Sequence, residues 1–156
     1  MKRAAPLQRR TGLRRSRLRP ADRGREQRKL EKELDALCRR LVVEIRDKNT
    51  CQRCGKNAAQ SKIDWSHVVS RAAKSARHVL WNSMALCAGC HRWWHRFPNA
   101  GVKWFNEKFP ERVVLLESWQ HERRRPKIDY QMTRLWLEQQ IDHLVWADNQ
   151  TKGATL

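Results

Sequence analysis

The sequence predicts an α+β protein: a small sheet-and-helix core stapled by cysteines, flanked by amphipathic helices and led by a disordered basic arm. Three observations predict it. Two Cys-x-x-Cys pairs, Cys51/Cys54 and Cys87/Cys90, are separated by 32 intervening residues. Between them lie two short strand-like stretches, "IDWSHVV" and "SMALC". On either side, apolar residues recur at helical steps of three and four. A chain of 156 residues suffices for one domain with its own core.

The elements follow in order. Residues 1–22 are Arg-rich and broken by Pro6, Gly12 and Pro20, which reads as a disordered arm that orders on a polyanion or else as a solubilising tail. Asp22 is placed to cap a helix over 23–50, ending near Lys48, whose stripe is Leu30, Leu34, Leu37, Leu41, Val42 and Ile45. Cys38 falls on that stripe and reads as a buried thiol. The core covers 51–110. "CQRCGK" makes one tight knuckle in which Gly55 relieves the backbone, "SRAAKSARHVLWN" is a basic loop or short helical turn, and "AGCHRWWHRF" makes a second knuckle that opens a helix ended near Pro98. "GVKWFNEKF" is a short helix stopped by Pro110. Residues 111–156 are helical, broken at Pro126, with Ile128, Met132, Leu135, Leu144 and Val145 along one side of the last helix and a frayed end from Asp148.

The formal charge is +18, from 34 basic and 16 acidic residues. Residues 1–30 hold 12 basic against 2 acidic side chains, and residues 51–110 hold 10 against 2, while the remaining segments balance. A polyanion such as a nucleic acid is therefore expected beside the cysteine segment, and charge alone leaves both DNA and RNA open. No apolar run approaches the roughly 20 residues of a membrane span, and the start lacks the apolar centre of a signal peptide. An Arg-rich transit peptide is the alternative reading of that start. The cytoplasm of a bacterial or phage-infected cell is the expected setting.

Thiolates at a two-residue spacing, twice, suit a tetrahedral Zn²⁺ held by Cys51, Cys54, Cys87 and Cys90. Four sulfurs leave no open position, so this zinc is expected to be structural. Two unrelated pairs, or a redox site, rank below it, because a redox Cys-x-x-Cys normally stands alone. His91 and His95 then need another role. They lie four apart on one helix face, which suits a shared cation. Ahead of them stand His67 and Asn82, with 14 residues between those two, eight from Asn82 to His91, and three from His91 to His95.

This order resembles the HNH nucleases, the ββα-metal or His-Me finger family, through "CQRCG", "SHVVSR", Asn82 and "LCAGCHRWWH" across residues 51–96. The pattern is also similar to small phage HNH proteins, including the recombination nucleases of the lambda Nin region. The resemblance implies a metal-dependent DNA endonuclease leaving 5′-phosphate and 3′-hydroxyl ends. His67 is then the general base, His91 and His95 hold a divalent cation (Mg²⁺, Mn²⁺, Ni²⁺ or Zn²⁺), and Asn82 orients the loop. One position departs from the family, which has Asp or His immediately before the base as a metal ligand. Here it is Ser66, and Asp64, two residues back on the same strand face, is the substitute ligand or a partner behind one. Arg71, Arg92 and Arg96 are candidate phosphate contacts. His78 has no partner that defines a role, and the tryptophans near the motif read as core packing. Branched recombination intermediates, namely a Holliday junction or flap, are the expected specialised substrate, with a homodimer setting two sites across a junction. The rival class is a non-catalytic zinc-dependent DNA-binding protein with a degenerate HNH fold.

Overall fold

The computed structural model describes residues 20–122 and 127–153. The arm through residue 19 and the expected break at Pro126 lie outside the described residues. Helix α1 spans Pro20–Arg39, beginning ahead of the expected Asp22 cap. Proline suits the first turn, where its missing N–H costs no hydrogen bond, and Asp22 sits inside that turn facing the positive helix end. Leu34, Cys38, Leu41 and Val42 are buried as expected. From Arg40 to Arg46 the helix widens into a π-helical stretch. Three consecutive residues there, Leu41, Val42 and Val43, are all buried, because the stretch meets both strands and the last helix on different sides. Asp47 ends the stretch. Its carboxylate accepts from the Ala85 amide at 2.8 Å, and Lys48 and Asn49 turn the chain with φ of 50° and 52°.

Strands β1 (Ile63–His67) and β2 (Ser83–Cys87) form one antiparallel pair, with Ile63 opposite Cys87 and His67 opposite Ser83. Their connection holds a single helical turn, α2 (Lys74–Arg77), and a 3-10 turn, Leu80–Asn82. Helix α3 (Ala88–Arg96) leaves β2 directly, followed by α4 (Pro98–Lys108) and α5 (Pro110–His121). Both prolines stop one helix, as the sequence suggests, and also open the next, so α4 starts at Pro98 rather than Gly101. Phe97 and Phe109 leave the α region with ψ of 66° and 58°, as a residue before proline must.

The main core packs Val42, Val43, Met84, Leu86, Trp94, Phe105 and Phe109 beneath the sheet. Trp94, Trp104, Phe105 and Phe109 meet with ring centroids 5.3–6.4 Å apart, so the aromatics do pack as core. Gly101 permits this approach: a Cβ there would stand 3.0 Å from the Trp94 ring. A second cluster joins Leu34 and Cys38 of α1 to Leu137 of the last helix, α6 (Tyr130–Gly153).

Helix α6 corrects the sequence reading twice. It stays helical through Gly153 instead of fraying from Asp148. Its buried residues are Leu137 and Ile141, whereas Met132 and Leu135 are 62% and 57% exposed. The helix carries apolar residues on two faces, so periodicity alone does not choose between them. Polar contacts at both ends choose: the Tyr130 hydroxyl donates to Glu31 at 2.9 Å, and Lys48 meets Asp148 at 3.2 Å. Accordingly, Leu137→Ala should lower the unfolding free energy by about 2–5 kcal/mol. Met132→Ala should change it by less than about 0.5 kcal/mol. Urea denaturation of both variants checks the assignment; equal losses would reverse it.

Candidate active site and metal centre

The first knuckle is built by backbone bonds. The Cys51 amide donates to Lys56 at 2.8 Å, the Gly55 amide to Cys51 at 2.9 Å, and Gly55 takes φ of 74° as the turn requires. The Gln52 amide donates to the Ala85 carbonyl at 2.9 Å, tying this knuckle to β2 two residues before Cys87. Cys87 ends β2 and caps α3, its Sγ accepting from the Cys90 amide at 3.4 Å. The four sulfurs of Cys51, Cys54, Cys87 and Cys90 all lie within 4.8 Å of one another, with Cys54 and Cys87 3.6 Å apart. Tetrahedral Zn–S bonds of about 2.3 Å separate their sulfurs by about 3.8 Å, so the cysteines fit zinc. Burial pushes the Cys90 thiol up to about 12 and Cys51 upward too. Against its own burial, Cys87 is held down to about 7 by the Cys90 amide and neighbouring sulfurs. Thiols this close cannot all ionise without a cation among them. Arg53 closes the outer side, stacking 3.6 Å above the Trp93 ring and donating to Cys90 Sγ at 3.6 Å.

The histidines assemble next to this cluster. His67 ends β1, and His91 and His95 lie one turn apart on α3. With Trp65, Arg71 and Trp94 they line one cavity of about 430 Å³. The Nε2 atoms of His91 and His95 face each other at 3.1 Å. Two nitrogens on one octahedral cation, with bonds of about 2.1 Å, stand about 3.0 Å apart, so this pair fits a shared ion. Asp64 approaches His91 from the other side, its carboxylate 3.1 Å from Nδ1. Despite its burial, bonds from His91 and Lys62 hold the Asp64 carboxyl below the usual range. Ser66 is 1% exposed, and its hydroxyl finds no hydrogen-bond partner.

His67 is buried, with Nε2 3.1 Å from the Arg77 carbonyl. A carbonyl only accepts, so Nε2 carries the proton and Nδ1 keeps the lone pair. Burial pushes the imidazole down to about 4; Arg71 and Arg77 add to this, while the Arg77 carbonyl and Asp35 oppose it. Asn82 is fully buried and binds the β1–β2 connection. It accepts from the Val69 amide at 2.7 Å and donates to the Val69 and Ala76 carbonyls at 3.0 and 2.9 Å. Of the arginines, Arg71 lines the cavity, whereas exposed Arg92 and Arg96 do not.

Residues 51–97 match the family model described as HNH endonuclease. This segment is an HNH domain. Neither curated proteins nor solved structures give a match. The HNH domain implies a nucleic-acid partner, and no described helix is long and apolar enough to cross a membrane.

Three residues that serve the HNH domain were not visible in its spacing. Asp35, on α1, binds the side chains of Arg77 and His78; Arg77 acts through its carbonyl; Arg53 acts through the face of Trp93. His78, without a role in the sequence, is a buried partner of Asp35 at 3.0 Å.

Two outcomes follow. Cys87→Ser should lower zinc, read by atomic absorption, from one ion per chain to none and abolish the cooperative unfolding transition; full zinc retention would refute the four-sulfur site. Acid should also destabilise the fold through His67. Its folded pKa lies below its unfolded value, so it costs nothing above about pH 6.5. As pH falls from about 6.5 to about 4, the unfolded chain takes up a proton that the folded chain refuses, removing about 2–3 kcal/mol. Denaturation at several pH values should show this slope reduced in His67→Gln.

Proposed function

We propose that this protein is a metal-dependent DNA endonuclease. The carrying observation is the shared cavity: His67 with a free Nδ1 lone pair, the facing Nε2 atoms of His91 and His95, and Arg71 on the same wall. His67 accepts at Nδ1 the proton of the attacking water, which adds to phosphorus opposite the 3′ oxygen. That oxygen leaves as an alkoxide, takes a proton from solvent water to become the 3′-hydroxyl, and the phosphate stays on the 5′ side. His91 and His95 hold a divalent cation, with Asp64 fixing the His91 ring from behind. When bound, that cation supplies positive charge to a non-bridging oxygen and to the leaving oxygen. Arg71 holds the phosphate, and Asn82 holds the connection beside the base through its bonds to Val69 and Ala76. Mg²⁺, Mn²⁺, Ni²⁺ and Zn²⁺ are the candidate ions.

Branched recombination intermediates are the specialised substrate favoured by analogy with the phage-like pattern. Ser66 supports a second reading. The position where the family places a ligand holds a buried hydroxyl, which favours a zinc-dependent DNA-binding protein without catalysis.

Plasmid, linear, nicked, flap and four-way DNA incubated with each cation decides between them. The nuclease reading expects cleavage that falls at least about a hundredfold in His67→Ala. Equal cleavage by that variant would remove His67 as base. DNA binding with no cleavage under any cation would establish the second reading.

A further inference from the structure

We infer that Asp35, on a helix outside the HNH domain, is a positioning residue for the base: it clamps the turn that presents the Arg77 carbonyl to His67. The inference rests on the reading of His67 as base.

The clamp is built from one face of α1. Glu31, Asp35 and Cys38 are spaced four and three residues apart, so they project toward the same side. All three reach the segment from Lys74 to His78. Asp35 takes Arg77 in a two-pronged contact, Oδ1 to Nε at 2.9 Å and Oδ2 to Nη2 at 2.5 Å. The same carboxylate accepts from His78 Nε2 at 3.0 Å. Glu31 receives Lys74 at 3.2 Å, and the Cys38 thiol donates to the His78 carbonyl at 3.6 Å. From the opposite side, Asn82 Nδ2 donates to the Ala76 carbonyl at 2.9 Å. The turn is thus held from both sides, and the carbonyl next in sequence to the one Asn82 holds is the one His67 meets.

A planar guanidinium gripped at two atoms fixes its own backbone more tightly than a single contact would. Loss of the grip leaves the four-residue α2 to the single contacts from Glu31, Cys38 and Asn82. The Arg77 carbonyl then moves, and His67 loses the acceptor that selects its Nε2–H form. The alternative is that the Asp35–Arg77 pair only stabilises the fold. The two differ in one observable, the protonation site of the His67 ring.

The test uses full-length Asp35→Asn and Arg77→Gln. For each, ¹⁵N spectra of the imidazoles report the tautomer of His67, assigned through His67→Gln. Unfolding curves and zinc content report the fold. Wild type should show a single Nε2–H form. Both variants should keep their zinc and give a mixture of tautomers, with DNA cleavage reduced about tenfold or more. The double variant should lose less than the two single losses together, because both remove the shared Asp35–Arg77 contact. Glu33→Gln, on another face of α1, should leave the spectrum unchanged. If Asp35→Asn fails to fold, Arg77→Gln alone decides, since it keeps the carbonyl and removes only the gripped side chain. An unchanged Nε2–H form in a folded variant overturns the inference. Wild-type protein that cleaves no DNA overturns the nuclease reading instead, and the spectra still decide on the clamp.

Discussion

The convergence of four sulfurs on one point is the constraint from which the rest of the HNH domain follows. Cys51 and Cys54 arrive from the end of a π-helical stretch, and Cys87 and Cys90 from the junction of β2 with α3. Drawing them together fixes the start of α3 against the sheet before any side chain of the cavity is considered. A small sheet of two strands has little core of its own and is marginal in water. The sulfur cluster and the aromatic packing of α4 supply what the sheet lacks.

On that frame the site divides into two kinds of support. His91 and His95 take their separation from the four-residue step along α3, and Asp64 of β1 stands behind the His91 ring. His67 is placed by the strand, but the direction of its ring depends on a carbonyl in a separate turn. That turn is fixed by a side chain inside the domain, Asn82, and by one outside it, Asp35. The separation of His91 and His95 is therefore a property of short-range sequence, and the setting of the His67 ring is a property of the assembled chain.

This division explains what could be read in advance. Cysteine spacing revealed the sulfur cluster, and histidine spacing put His91 and His95 on one helix face, because both depend on residue type and local distance. The α+β class was legible for the same reason, since the strands and the helix of the core sit between those markers. Asp35 and Arg77 were not legible. Arg77 contributes a backbone carbonyl, which every residue has, and Asp35 is 42 positions away along the chain. The face of α6 was misread because Leu137 and Ile141 compete with an equally apolar outer face, and contacts of Glu31 and Lys48 about 100 residues away decide between them. The π-helical stretch left no mark beyond three adjacent apolar residues.

The short length of α3 has a mechanical meaning. The helix is nine residues long and is stopped at Phe97 by the proline that begins α4. Its origin, Cys87, is a zinc-site sulfur, so the helix is a lever pivoting on that cluster. His95 lies eight residues out, about 12 Å along the axis at 1.5 Å per residue. A tilt of about 5° at the pivot would carry its imidazole about 1 Å, a displacement that can lower catalytic rates about a hundredfold. The aromatic layer against Trp94 braces the far end of that arm, which gives the packing of α4 a role in placing the His91–His95 pair as well as in the core.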